Sequence, residues 1–458
     1  MKKTLYILFV VAALAYVAWS VSLLWHNGLL RKTEPLQVAK MELADSAICR
    51  AITDGQMHGA VLCVVRRAAD GKSMGEVAYL KAYGNRSVLS HDGVADTMAM
   101  TTDAVFDIAS MSKSVGTTLA LMRLVEDGKL RLSDRVDYYI EDFKPWDSIA
   151  APEKRAWGKR RKAAKPRVVK REHITIQHLL THTSGLPSYI NVKEFVECYS
   201  SKDSVQSVLR DSLVRHIATQ VERRFRPGGG VRYSCLNFVV LQAIIERVAG
   251  CGLDEFASRE VFEPLGLKNT WYNNLDSAVR PFGAEEPIVP SEQLADGKVL
   301  WGEVHDPLAR VINRGVSGNA GVFSTAEDLA VVASMLMNGG VISYPEDGWR
   351  GRLGWRREQR FYGAATIDRF FRVPESLSEY GRALGWDGSF DKGGCYGDLM
   401  SPHGVVSHTG YTGTSMAIDY ERGVAVILLT NRVHPCDKGS LGRTRGVVAN
   451  IVMAALGI

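Results

Sequence analysis

A serine hydroxyl is a weak nucleophile near neutral pH and needs a base beside it. A lysine whose charge is suppressed by burial can be that base. Ser110-Met111-Ser112-Lys113 offers such a pair: three residues apart, the two side chains share one face of a helix. The surrounding run, 103–128, supports that placement. A short apolar approach ends at Ser110, and Val115, Leu119 and Met122 recur at i, i+4 and i+7 as a buried stripe. Gly128 follows where a left-handed C-cap would sit. The spacing alone has little specificity. Ser389-x-x-Lys392 repeats it inside Gly-Ser-Phe-Asp-Lys-Gly-Gly, which reads as a loop. A lysine met at random is solvated, because Lys is rarely buried unpaired.

Two further groups stand out. Tyr233-Ser234-Cys235 starts a helix after the sharp break Arg226-Pro-Gly-Gly-Gly230, and His408-Thr409-Gly410 lies on a terminal strand. A serine, a lysine, a phenol and a polar strand edge are what lysine-assisted acyl transfer needs. The serine attacks, Lys or Tyr takes its proton and delivers it to the leaving group, and backbone N–H groups hold the oxyanion. The blander readings are a helix-start aromatic packed on the core for Tyr233 and a strand histidine without a role for His408. His178 and His182 are four apart, but Leu179 stands where an H-E-x-x-H zinc site needs Glu, so both read as structural. His305-Asp306 reads as a turn cap. No cluster has metal-ligand spacing, and neither metal nor cofactor is expected.

The elements that must position these groups split along the chain. Val38–Thr53 has helical periodicity. Ala60–Arg67 and Val77–Tyr83 read as a hairpin around Asp70-Gly71, and the helix 110–127 follows. Ser133 is a candidate N-cap for a short amphipathic piece. Residues 174–186 read as a helix closing in a Ser-Gly turn, 191–224 as helical and charged, and 275–300 as irregular. Ser324 with Glu327 makes a capping box for the helix after the glycine-rich 315–321. Residues 341–380 look loop-rich. Val405–Asp419 and Val424–Leu429 read as two adjacent strands, and 443–456 as a closing apolar helix. The expected fold class is α+β. Its antiparallel sheet is built from N- and C-terminal strands flanked by helices, with a mainly helical region inserted at about 125–320.

The chain of 458 residues is 46% hydrophobic and 23% charged, an ordinary globular balance. Segment 144–171 holds eleven lysines and arginines against Asp147 and Glu153, a net +9, so the rest carries −3 of the total +6. It reads as a solvated insertion. Its scant aromatics and the export signal before it argue against nucleic acid, and anionic lipid or cell-wall polymer is the alternative. Seven dispersed cysteines without C-x-x-C exclude a disulfide framework and read mostly as small buried residues. Residues 1–3 precede 4–25, a stretch of 22 residues without charge, long enough to span a bilayer. We read it as an uncleaved signal anchor followed by a tether, 26–40, with 41–458 exported. A cleaved signal peptide is the alternative.

The three groups, in this order and spacing, resemble the serine β-lactamase and penicillin-binding-protein superfamily, most closely its class C-like branch, from about residue 45 to the end. Phe106-Asp-Ile-Ala-Ser-Met-Ser-Lys113 is similar to its first motif, and Leu179–Leu186 to its helix–turn signature. Tyr233-Ser-Cys235 stands where it has Tyr-x-Asn, and His408-Thr-Gly410 where it has Lys-Thr-Gly or His-x-Gly. Val304-His-Asp-Pro307, Gly318–Thr325 and Leu428–Pro435 resemble a carboxypeptidase- and esterase-like subgroup. The resemblance implies Ser110 as acylated nucleophile, Lys113 as its base and Tyr233 as proton relay. It implies an oxyanion hole from the Ser110 and Tyr411 amides, and Cys235, His408, Thr409 and Gly410 along the substrate cleft. It also implies a β-lactamase/transpeptidase-like domain on the periplasmic side of a bacterial inner membrane, acting on D-amino-acid peptides or small esters, with β-lactams or non-catalytic cell-wall-fragment binding as alternatives. Two departures bear on substrate. Cys235 replaces an amide, and His408 replaces a permanent cation. Arg310 or Arg314 could stand in for the latter, though each reads first as a surface or structural arginine.

Overall fold

The computed structural model describes residues 36–149, 168–199, 206–277, 287–345, 356–388, 394–437 and 439–457. Its organising element is a seven-stranded antiparallel sheet in the order β11-β12-β13-β14-β1-β2-β3. Strands β1 (Gly59–Arg66), β2 (Glu76–Leu89) and β3 (Ala95–Ala99) come from the N-terminal part. Strands β11 (Asp387–Gly388), β12 (Val405–Thr409), β13 (Ser415–Asp419) and β14 (Val424–Thr430) come from the C-terminal part. The two ends of the chain meet where β1 pairs with β14, from Ala60 opposite Thr430 to Arg66 opposite Val424. This is the two-ended sheet that the sequence implied.

The central strands are apolar on both faces, and the period of two sorts their residues into two cores. Val61, Cys63 and Val65 of β1, with Ala425, Ile427 and Leu429 of β14, join the larger core. Ala60, Leu62 and Val64, with Val424, Val426 and Leu428, face the smaller one. The smaller core is closed by helices α1 (Val38–Thr53) and α10 (Gly442–Leu456). The larger one is covered by α2 (Leu119–Glu126), the helical region α3 (Ile176–Leu180), α4 (Val192–Tyr199), α5 (Gln206–Thr219), α6 (Cys235–Ala249) and α7 (Leu253–Ala257), and by α8 (Ala326–Met337) and α9 (Ala364–Phe371). Helix α6 buries ten residues in a row, Leu236 to Ile245, as an all-round apolar helix must. A small sheet, β4 (Phe106–Asp107), β8 (Val322–Ser324) and β7 (Trp271–Tyr272), joins this region to the approach to Ser110.

Several local expectations are corrected. The helix expected over 110–127 is three pieces: a 3₁₀ turn Ala109–Met111, a π-helical segment Lys113–Thr118, then α2. Gly128 does cap it, with φ +66°. Val405–Asp419 is two strands, because the chain turns at 410–414. Residues 341–380 hold the hairpin β9 (Val341–Pro345) and β10 (Arg356–Arg360), then α9 and a 3₁₀ turn Glu375–Tyr380. Thr325, not Ser324, caps α8, accepting from the Asp328 amide at 3.2 Å, while Ser324 Oγ pairs with Thr270 Oγ1. Ser133 caps nothing; its hydroxyl accepts from Arg131. Cys63 alone is fully buried; Cys49, Cys198 and Cys436 are exposed. The described ends of the basic insertion pair as β5 (Trp146–Ile149) and β6 (Val168–Glu172). The rest of that insertion, the segment 4–25 and the second Ser-x-x-Lys, Ser389 to Lys392, lie outside the described residues. Among those described, no single helix is long and apolar enough to cross a membrane.

Asn431 fastens the sheet where its two halves join. Its Oδ1 accepts from the His58 and Gly59 amides at 3.1 and 2.7 Å, and its Nδ2 donates to the Asn85 and Arg86 carbonyls at 2.9 and 3.0 Å. Gly59 is required beside it, since a Cβ there would sit 2.3 Å from the Asn85 oxygen. Asn431→Ala strands four backbone groups, one in a buried bond and three in partly buried ones, and unfolding in urea is expected to become easier by about 2–4 kcal/mol. A loss under about 1 kcal/mol would show that water replaces the amide freely.

Candidate active site

The approach to Ser110 is set by a buried carboxylate. Asp107 Oδ1 accepts from the Ala109 amide at 2.8 Å and Oδ2 from the His305 amide at 2.8 Å. Burial pushes the Asp107 carboxyl up, against these two amides, which favour its anion. Ala109 is held at φ +47°, a left-handed conformation that costs about 1–2 kcal/mol for a residue with a Cβ. The turn that follows presents Ser110 to the cleft, and the π-helical segment after it re-aims Lys113.

Lys113 is fully buried. Its Nζ donates to Ser110 Oγ at 3.0 Å and to the Asn319 carbonyl at 2.9 Å, and it reaches Cys235 Sγ at 3.5 Å. The ammonium also lies 5.1 Å from the centre of the Tyr233 ring. Burial is the largest influence on Lys113 and favours the neutral amine; negative charge on Cys235 and Tyr233 acts the other way and carries its pKa above the ordinary value. Those opposing charges exist only once Cys235 and Tyr233 have ionised. Burial pushes both of these groups up, while Lys113 pulls each down. The three groups therefore titrate as one unit.

Tyr233 stands on a polar scaffold. His182, at φ +58°, accepts through Nδ1 from the Ser234 amide and from Asn237 Nδ2, both at 3.1 Å. Its ring lies 4.5 Å from that of Tyr233. Ser184 Oγ donates to Asn237 Oδ1 at 2.6 Å, so the Leu179–Leu186 motif forms the wall behind the tyrosine. Burial holds His182 well below its ordinary value. His178 caps α3 in a reciprocal box with Thr175. Both histidines are structural, as their spacing implied.

The opposite wall is the end of β12 and the turn 410–414. Gly410 is needed there because a Cβ would meet Thr414 Oγ1 at 2.2 Å and the Ile108 oxygen at 2.5 Å. Thr412 Oγ1 donates to the Asp107 carbonyl at 2.8 Å, and Thr414 Oγ1 to that of Ile108 at 3.2 Å. These bonds tie the turn carrying Tyr411 to the turn carrying Ser110. Among the described residues, no acceptor takes the amide of either Ser110 or Tyr411. Tyr411 Oη donates to Asp437 at 2.6 Å, and its ring stacks 5.6 Å from His305.

His408 lies between β12 and Tyr233, with ring centres 6.3 Å apart. Its Nδ1–H donates to the Thr409 carbonyl at 2.9 Å, leaving Nε2 as an acceptor. Burial, aided by Lys113 and Arg382, brings its pKa down to about 4. It is neutral at physiological pH and supplies no cation. Arg310 and Arg314 do not supply one either. Arg310 donates to the Val304 and His305 carbonyls, and Arg314 pairs with Asp276 at 3.0 Å. The cleft, about 450 Å³, is lined instead by Arg382, Arg432 and Arg445 together with Ser110, Tyr233, His408 and Thr409. Arg432 is spent on the Tyr411 carbonyl and Asp437, and Arg382 pairs with Asp387. Arg445 donates through Nη2 to the Gly410 and Thr414 carbonyls at 3.2 and 3.1 Å. The sequence reading missed Asp107, Asn319 and this arginine set. Asp107 and Asn319 lay inside motifs that had been singled out. A larger cavity of about 530 Å³, between α8, α9 and the far ends of β1 and β13, holds neither Ser110 nor Lys113.

A sheet assembled from both chain ends, a helical region beside it, and a serine and buried lysine at their junction define a penicillin-binding-protein-like serine hydrolase fold. The chain belongs to the Beta-lactamase family, whose model matches residues 44–449. It is 31% identical over 422 residues to an N-acetylmuramyl-L-alanine amidase of Bacillus subtilis (strain 168), covering 88% of this chain and 83% of that one. A Salmonella agona (strain SL483) protein, provisionally named a D-alanyl-D-alanine carboxypeptidase, is 29% identical over 377 residues, covering 78% and 74%. Among solved structures, EstCE1, a hydrolase with promiscuous acyltransferase activity, superposes with TM-score 0.62 at 22% identity, covering 91% of this chain and 99% of that one. A penicillin-binding protein homologue from Pyrococcus abyssi gives 0.57 at 20%, covering 91% and 76%.

The neutral, buried His408 links stability to pH. Its folded pKa lies below the unfolded value, so the unfolded chain binds the extra proton first, and stability falls as pH drops from about 6.5 towards 4. His182 acts in the same direction. The denaturation free energy of His408→Gln is expected to fall less over that window, by on the order of 3 kcal/mol. Equal pH slopes for the two proteins would contradict the placement of His408.

Proposed function

We propose that this protein is a serine hydrolase working through an acyl-enzyme, with Ser110 as nucleophile. The observation that carries the reading is the 3.0 Å contact between Ser110 Oγ and the buried Lys113 Nζ. Lys113, coupled to Tyr233, takes the serine proton; Tyr233 passes it to the leaving group and serves the deacylating water. The unengaged amides of Ser110 and Tyr411 hold the oxyanion. His408, Thr409 and Gly410 line the path of the substrate, while Cys235 is not among the residues lining the cleft and touches it through the Lys113 Nζ at 3.5 Å.

The substrate we favour is a peptidoglycan-type D-Ala peptide. Its terminal carboxylate needs a cation, and neutral His408 is not one. Arg445 is the best-placed substitute, because both of its carbonyl partners are neutral and leave its charge unopposed by those bonds. The names of the Bacillus and Salmonella relatives support cell-wall chemistry. A small ester ranks second, favoured by the loss of the amide at Cys235 and of the cation at His408; a β-lactam ranks third. We also infer that segment 4–25 anchors the domain to a membrane with the cleft outside the cytoplasm, on the strength of its 22 uncharged residues.

Intact-mass analysis after a fluorophosphonate or a penicillin tests the reading. The wild type is expected to gain one adduct and Ser110→Ala none. Absence of any adduct with both reagents would overturn the catalytic reading in favour of a binding protein, and an adduct surviving in Ser110→Ala would move the nucleophile. The rate of adduct formation is expected to rise with pH from 6 and to be still rising at pH 9, because the raised pKa of Lys113 places the loss of its proton at the alkaline end. It should show no step from His408 in that range. A rate that falls as pH rises would exclude Lys113 as base.

A further inference from the structure

Cys235 is the first residue of α6, a helix of 15 residues, and it is partly exposed. The positive end of that helix and the Lys113 Nζ at 3.5 Å make its surroundings electropositive, the setting in which thiols react. A second group points to the same sulfur. Asn319 is completely buried, and its Oδ1 accepts from Ser317 Oγ at 2.6 Å. Its Nδ2, however, has no hydrogen-bond partner among the described residues. Burial is the largest influence on the Cys235 thiol and raises its pKa; Lys113 and, to a smaller extent, the Asn319 side chain favour the sulfur's anionic form. Two N–H donors thus face one sulfur, which is a weak acceptor for both. An oxygen bonded to that sulfur would accept from each, and would end the unusual state of a buried amide without a partner.

We propose that Cys235 is an oxidation site, at which a hydroperoxide gives a sulfenate held by Lys113 and Asn319 that reversibly silences Ser110. The sulfur attacks one peroxide oxygen and the O–O bond breaks. The departing oxygen takes the thiol proton, so Cys–SH and ROOH give Cys–SOH and ROH. Sulfur loses two electrons and the peroxide gains them. The sulfenic proton passes to Lys113 in its amine form, the form that would serve Ser110 as a base. The resulting anion, unlike the thiol, keeps the ammonium charged, and Lys113 no longer serves as a base. One thiol converts Cys–SOH to a mixed disulfide with loss of water, and a second releases Cys–SH and the symmetrical disulfide. The small size of a peroxide suits the partial exposure of Cys235. The oxidation itself is independent of the proposed function; its effect on Ser110 rests on it.

The test uses the protein with Cys49, Cys198 and Cys436 replaced by serine, because those exposed thiols would also react. It is treated with hydrogen peroxide, trapped with a cyclic 1,3-dione and mapped by peptide mass. Fluorophosphonate labelling is timed before treatment, after it, and after dithiothreitol. The dione is expected on Cys235, with labelling slowed at least about tenfold and restored by the reductant, in keeping with loss of a general base. In the same background with Cys235→Ser, the ratio of treated to untreated labelling rates should stay near one. No dione on Cys235 overturns the site. Dione without slowed labelling, or slowing that dithiothreitol does not reverse, overturns the switch. If the untreated protein fails to label at all, the function proposed above fails, while the dione adduct still decides the oxidation site.

Discussion

The site depends on keeping one lysine out of water. A buried ammonium is costly unless its donors are matched. Lys113 meets that demand with a serine hydroxyl, a main-chain carbonyl and a sulfur, each from a different part of the chain. Two of these are the groups it would serve in chemistry or couple to in titration. The carbonyl of Asn319 is the fixed point: it comes from the glycine-rich 315–321 segment, which is itself held by Gln242 and Thr117. The base is thereby positioned without an acidic partner, which would have fixed its charge.

The second constraint is the alignment of two turns. Ser110 follows β4, and Tyr411 follows β12, about three hundred residues later. They share no strand pairing. Threonine hydroxyls from the 410–414 turn reach the main-chain oxygens of Asp107 and Ile108, and the absence of a Cβ at Gly410 lets them approach. The join of β1 with β14 brings the two ends of the chain into this contact. The fold therefore holds the two turns, and with them the amides of Ser110 and Tyr411, in fixed register, as the proposed oxyanion site requires.

Much of this was legible in the sequence, for identifiable reasons. The two-ended sheet showed because β1 and β14 are apolar runs, and α1 because its apolar positions keep a 3.6-residue period. Ser110, Lys113, Tyr233 and His408 stand out by residue type and by resemblance to one family's motifs, and the structure brings them together. What stayed hidden was geometry without a compositional mark. The π-helical turn at Lys113–Thr118 looks like any helix in sequence. The turn that splits Val405–Asp419 contains Gly410 and Gly413 but is flanked by residues that continue the strand pattern. Thr325 and Ser324 are both good caps, and the choice between them is made by Thr270, which engages Ser324. The cation for the cleft was sought near the glycine-rich segment. Arg445, which lines the cleft, comes from α10, and nothing in the sequence marks the contact of that helix with the turn 410–414.

The account stands or falls on Lys113 acting as a base rather than as a fixed charge. The direct measurement is the single-turnover acylation rate of Lys113→Arg, which keeps a permanent cation but cannot accept the serine proton. With folding verified by its unfolding curve, a drop of about a hundredfold to ten-thousandfold is predicted. A rate within about tenfold of the wild type would contradict the central claim, since general-base loss costs more than that.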